Sequence, residues 1–191
     1  IGGLYDPLDG HLDPSGTTHA YAKAARQQGA EIYLRNRVLE LNPKSDGSWD
    51  VVTEQGTINT ENIVNAGGLW AREVGAMVGV YHPLHPMEHQ YLITEDIPEV
   101  YERDNELPHI MDPAGETYFR QEGRGLCIGI YEQDCDSWAV DGTPWDFAAE
   151  LLPNNLERIS DPLEQAFKRY PCLGEAGIKT VINGPFAFAP D

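Results

Sequence analysis

The segment that decides the fold runs from Ile63 to Ala71 and reads IVNAGGLWA. The run from Asn62 to Ala66 is short and apolar, which is typical of a buried β-strand, and residues Leu69 to Val78 follow as a predicted helix. The two glycines at the junction let a ligand approach the backbone closely, and the N–H groups at the start of a helix favour a polar or anionic oxygen. An ordinary tight strand-to-helix connection has the same pattern, so the segment alone leaves both interpretations open.

Upstream of this segment the sequence predicts one helix and several strands. Residues Ala20 to Gln28 carry closely spaced alanines before a stop at Gly29, which is typical of a helix body and its C-terminal cap. Short apolar or alternating runs predict strands at residues 31–34, 38–41, 49–53 and 56–60, with a hairpin between the second and the third.

Past residue 80 prolines punctuate short alternating runs, a pattern that favours an antiparallel sheet. The predicted strands include residues 90–94, 117–121, 125–131 and 180–183. Residues Phe147 to Tyr170 predict a second helical region, broken near Pro153 and Pro162. The predicted fold class is therefore α/β (α+β), with a partial α/β domain at residues 1–84 joined to a mainly antiparallel sheet with helices at residues 85–191.

Composition excludes several classes of partner. The chain has 13 Lys+Arg against 31 Asp+Glu, a formal net charge of −18, which opposes binding to nucleic acid and to anionic membranes. No apolar run approaches the roughly 20 residues that span a bilayer. The three cysteines, Cys127, Cys135 and Cys172, have no C-x-x-C spacing, so we expect neither a disulfide framework nor a thiolate zinc site.

Several site motifs are missing from these residues. No G-x-G-x-x-G dinucleotide fingerprint occurs, and Gly123, Gly125 and Gly129 fit a hairpin better than a phosphate loop. The histidines at 82, 85 and 89 are interrupted by prolines, so we expect no metal site. The aspartates at 134, 136 and 141 lack calcium-loop spacing, and no G-x-S-x-G elbow supports a hydrolase.

The order of several motifs resembles amino-acid-oxidase-type flavoproteins of the DAO family. The motifs are Gly10–Pro14, Val38 preceded by Asn36-Arg37, and the segment at 65–71. Within that family the chain is similar to the dimethylglycine dehydrogenases and their sarcosine-oxidising relatives. The residues that carry this narrower similarity are at 70–75, 82–84, 89–91, 118–121 and 183–185.

The resemblance implies an FAD enzyme that removes hydride from an N-methyl group of dimethylglycine or sarcosine, leaving an iminium that water or tetrahydrofolate can intercept, the latter through further domains. Residues 1–84 would then be part of the FAD-binding domain and residues 85–191 the substrate domain. The resemblance places Val38 at the adenosine end of FAD, and it places four more cofactor-binding residues along the cofactor: Ala66, Gly67, Gly68 and Trp70. The alternative is a non-catalytic small-molecule-binding or scaffold module that retains the fold.

His89 and Tyr118 are the candidate catalytic residues. An imidazole and a phenol can orient an amine or a carboxylate and tune its protonation, and the amine must be neutral to release hydride. Spacing alone favours a hydrogen-bonded core histidine and an amphipathic strand tyrosine, whereas the resemblance favours the catalytic roles. Arg120 and Tyr91 are the expected substrate-binding residues, although Arg120 could instead pair with an acidic side chain.

The first residues resemble the middle of a strand and turn, and no Met begins them, so we expect an internal piece of a longer enzyme. Without a dinucleotide fingerprint we expect the piece alone to be inactive and able to self-associate through an unpaired sheet edge. The expected location is the bacterial cytoplasm, or the mitochondrial matrix in a eukaryote. The electron acceptor is not identified by any motif.

Overall fold

The computed structural model describes residues 2–190 and has a mixed α/β fold with two antiparallel sheets, which confirms the predicted fold class. By their contacts these residues form two compact units, one of residues 2–66 and 74–81 and the other of residues 67–73 and 82–190. No helix in the described part has both the length and the apolar content needed to cross a membrane. The division into cofactor and substrate domains at residues 84 and 85 stays a prediction.

The first unit contains a helix and a three-stranded antiparallel sheet. Helix α1, Pro14–Gln27, begins well before the alanine-rich run because the Asp13 carboxylate accepts a hydrogen bond from the Gly16 N–H at its first turn. Gly29, with φ +93°, follows the end of the helix as predicted. The strands are β1 (Val38–Pro43), β2 (Trp49–Thr53) and β3 (Gly56–Thr60).

Two segments predicted as strands are irregular. Residues 31–34 and 62–66 have suitable apolar runs, but among the described residues no strand pairs with them. A strand needs a neighbour for its backbone hydrogen bonds, and without one the sequence pattern has no effect. Tyr33 instead donates its hydroxyl to Glu31, and Val64 is 90% exposed. The strand predictions are wrong here, and the glycine pair follows an irregular segment.

The second unit is built on a five-stranded antiparallel sheet, whose strands are β4 (His85–Thr94), β5 (Ile110–Asp112), β6 (Thr117–Glu122), β7 (Gly125–Ile130) and β8 (Ile178–Phe188). Their order is β5-β6-β7-β4-β8, so β4 lies between β7 and β8. The hairpin between β6 and β7 turns at Gly123, which has φ +59°. The predicted antiparallel sheet is confirmed.

One face of this sheet carries the hydrophobic core of the second unit. Leu92, Phe119 and Ile128 lie on it, each at most 2% exposed, and Leu163 and Ala166 of a helix pack against them. The helices of this unit are α3 (Pro98–Tyr101) and α4 (Ser160–Arg169), with 3₁₀ turns at Pro113–Gly115 and Pro171–Gly174. The core therefore occupies one side of the sheet, and we call the other side the open face.

Residues 147–159 are irregular, although the sequence predicts a helix from Phe147. Polar side chains of the sheet hold this segment. The side chain of Gln90 and the backbone of Asn155 exchange two hydrogen bonds of 2.9 and 2.7 Å, and Asn183 donates to the carbonyl of Pro153 at 2.7 Å. Because these backbone groups bond to side chains, they are not used inside a helix, and α4 begins only afterwards.

Candidate functional site

The four residues predicted to act on the substrate share the open face of the five-stranded sheet. His89 and Tyr91 lie on β4, and Tyr118 and Arg120 lie on β6. Side chains alternate across a strand, and the residues between these four, such as Phe119, point into the core. The structure therefore places all four on one face of the sheet within one unit, with His89 and Arg120 at opposite ends of the group, on either side of the level of Tyr91 and Tyr118.

The register aligns two of the tyrosines across a glycine. Tyr91 on β4 is paired with Gly129 on β7, and Gly129 is paired with Tyr118 on β6. The phenol ring of Tyr118 lies directly over Gly129, because a Cβ built there would be 1.8 Å from the ring atoms Cε1 and Cζ. The middle of the open face is thus filled by a tyrosine ring that lies across the adjacent strand.

The Tyr118 ring is half-buried, and this burial affects its protonation. The rings of His109 and Tyr131 lie beside it, each with a centroid distance of 5.6 Å. Burial, with a smaller contribution from Cys127, raises the pKa of Tyr118 to about 12. The phenol is therefore neutral near pH 7 and can donate a hydrogen bond.

His89 is bordered by two phenylalanines of β8. Its ring centroid is 5.2 Å from that of Phe188 and 6.0 Å from that of Phe186. Its Nε2 atom is buried and has no hydrogen-bond partner among the described residues. An unpaired buried polar atom costs free energy, so a ligand that forms a hydrogen bond with Nε2 would bind more favourably here.

Arg120 is already paired in this structure. It donates to the Glu122 carboxylate and also to the Gln121 carbonyl, at 3.4 Å. Burial opposes the charge, but the Glu122 carboxylate outweighs it and the pKa of Arg120 is raised. Its role toward a substrate carboxylate stays a prediction, and it would require exchange with Glu122 or sharing of the guanidinium.

Tyr91 and Cys127 are two further polar groups of this face. Burial raises the pKa of Tyr91 and of the Cys127 thiol, so both stay protonated near neutral pH. Cys127 is only 1% exposed. Neither group is therefore an activated nucleophile in this structure.

The glycine pair opens a 3₁₀ turn, Gly68–Trp70, that continues into helix α2, Ala71–Ala76. Gly68 has φ +55°, and a Cβ built there would meet nothing within 4 Å. The glycine is thus required by its backbone angle, and open space adjoins it. A cofactor could approach this turn closely, which fits the residues predicted to bind FAD.

Two residues of this turn and helix bond to the loop at residues 139–144. The Trp70 indole N–H donates to the Pro144 carbonyl at 2.9 Å, and Glu73 accepts from the Thr143 N–H at 2.7 Å. Burial opposes the charge of Glu73, but the bonds from Thr143 and Arg72 outweigh it and lower its pKa. The turn also packs against β8. Its conformation is therefore set by the second unit itself.

The other two predicted cofactor residues lie in the first unit. Val38 is half-buried at the start of β1, and Ala66 is exposed in the irregular segment. Their contacts with FAD stay predictions. Among the described residues no group of three or more His, Cys, Asp or Glu is arranged to hold a metal ion.

Sequence reasoning missed the residues that shape the open face, namely Gly129, Phe186, Phe188 and His109. Alternation along each strand shows which residues share a face, but not which residues of different strands are neighbours. The hairpin at Gly123 was the available signal, because counting outward from it pairs Tyr118 with Gly129.

Comparisons with known proteins agree with this architecture. The family model described as DAO, FAD dependent oxidoreductase, matches residues 1–191. The chain is 46% identical over 196 residues to the mitochondrial dimethylglycine dehydrogenase of Mus musculus, covering 100% of this chain and 23% of that protein. It is 34% identical over 195 residues to the mitochondrial sarcosine dehydrogenase of the same organism, covering 100% of this chain and 21% of the relative.

Among solved structures, L-proline dehydrogenase from P. horikoshii matches with a TM-score of 0.71 at 27% identity, covering 94% of this chain and 45% of that chain. The chain thus spans less than a quarter of the length of the curated relatives named here.

Proposed function

The chain belongs to the DAO family of FAD-dependent oxidoreductases, and on that premise we propose that it forms part of an enzyme that oxidises N-methyl groups of glycine derivatives, with dimethylglycine or sarcosine as substrate. The observation that carries the proposal is the shared open face of His89, Tyr91, Tyr118 and Arg120. These four residues supply one cation, one imidazole and two neutral phenols, groups that suit a zwitterion with a carboxylate and an amine.

Each of these residues has a chemical role in the proposal. Tyr118 stays protonated because of its raised pKa and donates a hydrogen bond to the substrate. His89 orients the amine and holds its proton, because the reacting amine must be neutral. Arg120 and Tyr91 bind the carboxylate. Bound FAD supplies the acceptor for the hydride.

The cofactor-binding residues are also proposals. Gly67, Gly68 and Trp70 form a turn whose backbone angle and open space suit close approach of a ligand, and Val38 and Ala66 are proposed to contact the same cofactor. The family supports FAD itself. The proposal has further parts: use of tetrahydrofolate, transfer of electrons to an acceptor, a place in betaine catabolism and one-carbon metabolism, and a cytoplasmic or mitochondrial location. The two dehydrogenase relatives are mitochondrial proteins by name.

The decisive experiment uses the full-length protein. Purified protein with bound flavin is mixed anaerobically with dimethylglycine, with sarcosine or with glycine, and the flavin absorbance is followed. We expect the N-methyl compounds, and not glycine, to bleach the flavin. Binding of these compounds without bleaching would instead support the non-catalytic module, and absence of flavin would contradict the proposal.

A further inference from the structure

Gly129 lies beneath the ring of Tyr118 at the centre of the open face. We propose that Gly129 is a positioning residue, whose missing side chain lets the phenol of Tyr118 lie flat across β7 and present its hydroxyl toward β4. The proposal rests on the proposed function, because it concerns how one of the substrate-facing groups is aimed. It assigns to a glycine a role that its sequence context, a strand near a hairpin, does not suggest.

The distances show how completely the ring depends on the glycine. A Cβ at Gly129 would lie 1.8 Å from Cε1, 1.8 Å from Cζ and 2.4 Å from the hydroxyl oxygen of Tyr118. All three are below the 3.0 Å that real Cβ atoms respect. Any other residue therefore moves the hydroxyl end of the ring by more than a few tenths of an ångström, and a displacement of about 1 Å in a catalytic site can cost roughly 10²-fold in rate.

The backbone at Gly129 does not itself require glycine. Its φ is not in the left-handed region, whereas Gly123 at the hairpin does have a positive φ. Its neighbour along the pairing, Tyr91, has an ordinary strand side chain on the same face. What the position requires is space, and Tyr118 is what occupies that space.

Two aromatic rings neighbour the ring of Tyr118. The ring centroids of His109 and Tyr131 each lie 5.6 Å from its own. A methyl group at Gly129, which lies beneath the ring, would push the ring away from β7. The hydroxyl would then leave the surface that His89 and Tyr91 share.

The first test measures flavin reduction in the full-length protein loaded with FAD. Gly129→Ala should slow reduction by the N-methyl substrate by about 10²-fold with FAD affinity unchanged. In a Tyr118→Phe background the same substitution should lower the rate of flavin reduction by less than about a further twofold, because the hydroxyl that it displaces is already absent. If the rate loss in Gly129→Ala/Tyr118→Phe equals the product of the losses in the two single variants, the proposal is overturned.

Gly184→Ala is the matched control for that experiment. Gly184 lies on the same face, paired with His89, and a Cβ there would meet nothing within 4 Å. An added methyl at Gly184 therefore should leave the position of Tyr118 unchanged. If the Tyr118 ring, followed by the titration described next, moves in Gly184→Ala as far as in Gly129→Ala, any added methyl on this face displaces the ring, which contradicts a specific role for Gly129.

The second test needs no substrate. Displacing the ring from its buried place should lower the pKa of Tyr118 from about 12 toward the ordinary value. The titration of Tyr118 is followed by the ultraviolet absorbance of its phenolate. In the wild type it is isolated by subtracting the absorbance of Tyr118→Phe, and in Gly129→Ala by subtracting that of Gly129→Ala/Tyr118→Phe. The phenolate absorbance should appear at lower pH in Gly129→Ala than in the wild type. Identical titrations would overturn the proposed ring placement.

Two further outcomes are decided by the same set of variants. If flavin in the wild type is not reduced by N-methyl substrates, the proposed function fails, while the titration still decides whether Gly129 places the ring. If Gly129→Ala does not fold, the variant Gly129→Ala/Tyr118→Ala is made, because it removes the ring that the added methyl group would contact. Recovery of folding supports the proposal, and continued failure overturns it.

Discussion

Arg158 and Glu132 form a buried ion pair, in which the Glu132 side chain is 1% exposed and the Arg158 side chain 9%. The same guanidinium also pairs with Glu88 and Asp136. Glu132 in turn accepts a hydrogen bond from the Gln90 N–H at 2.9 Å. One cation therefore compensates three carboxylates and ties the segment before α4 to β4 and to the residues that follow β7.

We expect Arg158→Met to destabilise the protein strongly. It would leave the Glu132 carboxylate buried without its cation, and breaking a buried ion pair from one side costs about 3–5 kcal/mol. Lys168→Met is the matched control, because its pair with Glu164 on α4 is more than 60% exposed on both sides and should contribute less than about 1 kcal/mol. Denaturant unfolding of the two variants checks this, and equal losses would contradict it.

His89→Ala and Tyr118→Phe should each slow flavin reduction by roughly 10²-fold or more, with a much smaller change in FAD binding. The reason is that both side chains face the proposed substrate surface. Tyr170→Phe is a suitable control, since the Tyr170 ring packs on Phe119 in the core, 4.4 Å between centroids. Stopped-flow reduction under anaerobic conditions measures the effect, and unchanged rates in both variants would remove the pair from the site.

Stability should fall at alkaline pH through Tyr118. Its pKa is raised from 10.0 to about 12 in the folded protein, so between these values the unfolded chain has lost the phenol proton while the folded chain keeps it. The unfolded state then binds fewer protons, and the free energy of unfolding decreases as pH rises through this window. Tyr118→Phe should flatten that decrease. Denaturant unfolding of wild type and variant at pH values from about 7 to about 11 tests this, and parallel curves would contradict it.

The sequence predicts the second unit better than the first, for a physical reason. Alternation along β4 and β6 is a local signal, because each of these strands buries one face on the core of its own unit. That alternation already implies that His89 and Tyr91 share a face. The run at 62–66 has the same apolar character, yet it is irregular because a strand also depends on a partner that lies outside the run.

The alternation of residues along a strand does not predict contacts between strands. The Tyr118 ring over Gly129 depends on register, and a shift of one residue would bring Ile128 or Ile130 opposite instead. The irregular segment before α4 depends on Gln90 and Asn183, which lie far away in the sequence. In this segment the long-range polar contacts outweigh the local propensity for a helix.

Residues 1–191 expressed alone should bind FAD weakly and should not turn over an amine. No G-x-G-x-x-G sequence occurs in them, and the N–H groups of that turn, at the start of a helix, normally supply much of the anchoring of the pyrophosphate. The turn at Gly67 and Gly68 leads into α2, which has only six residues, Ala71–Ala76, so its dipole is a poor substitute. Exposed apolar side chains such as Val64 also favour self-association of this piece. Isothermal titration with FAD, beside light scattering on a sizing column, compares the piece with the full-length protein. A monomer that binds FAD with submicromolar affinity would show that the remaining contacts suffice without the phosphate-binding turn.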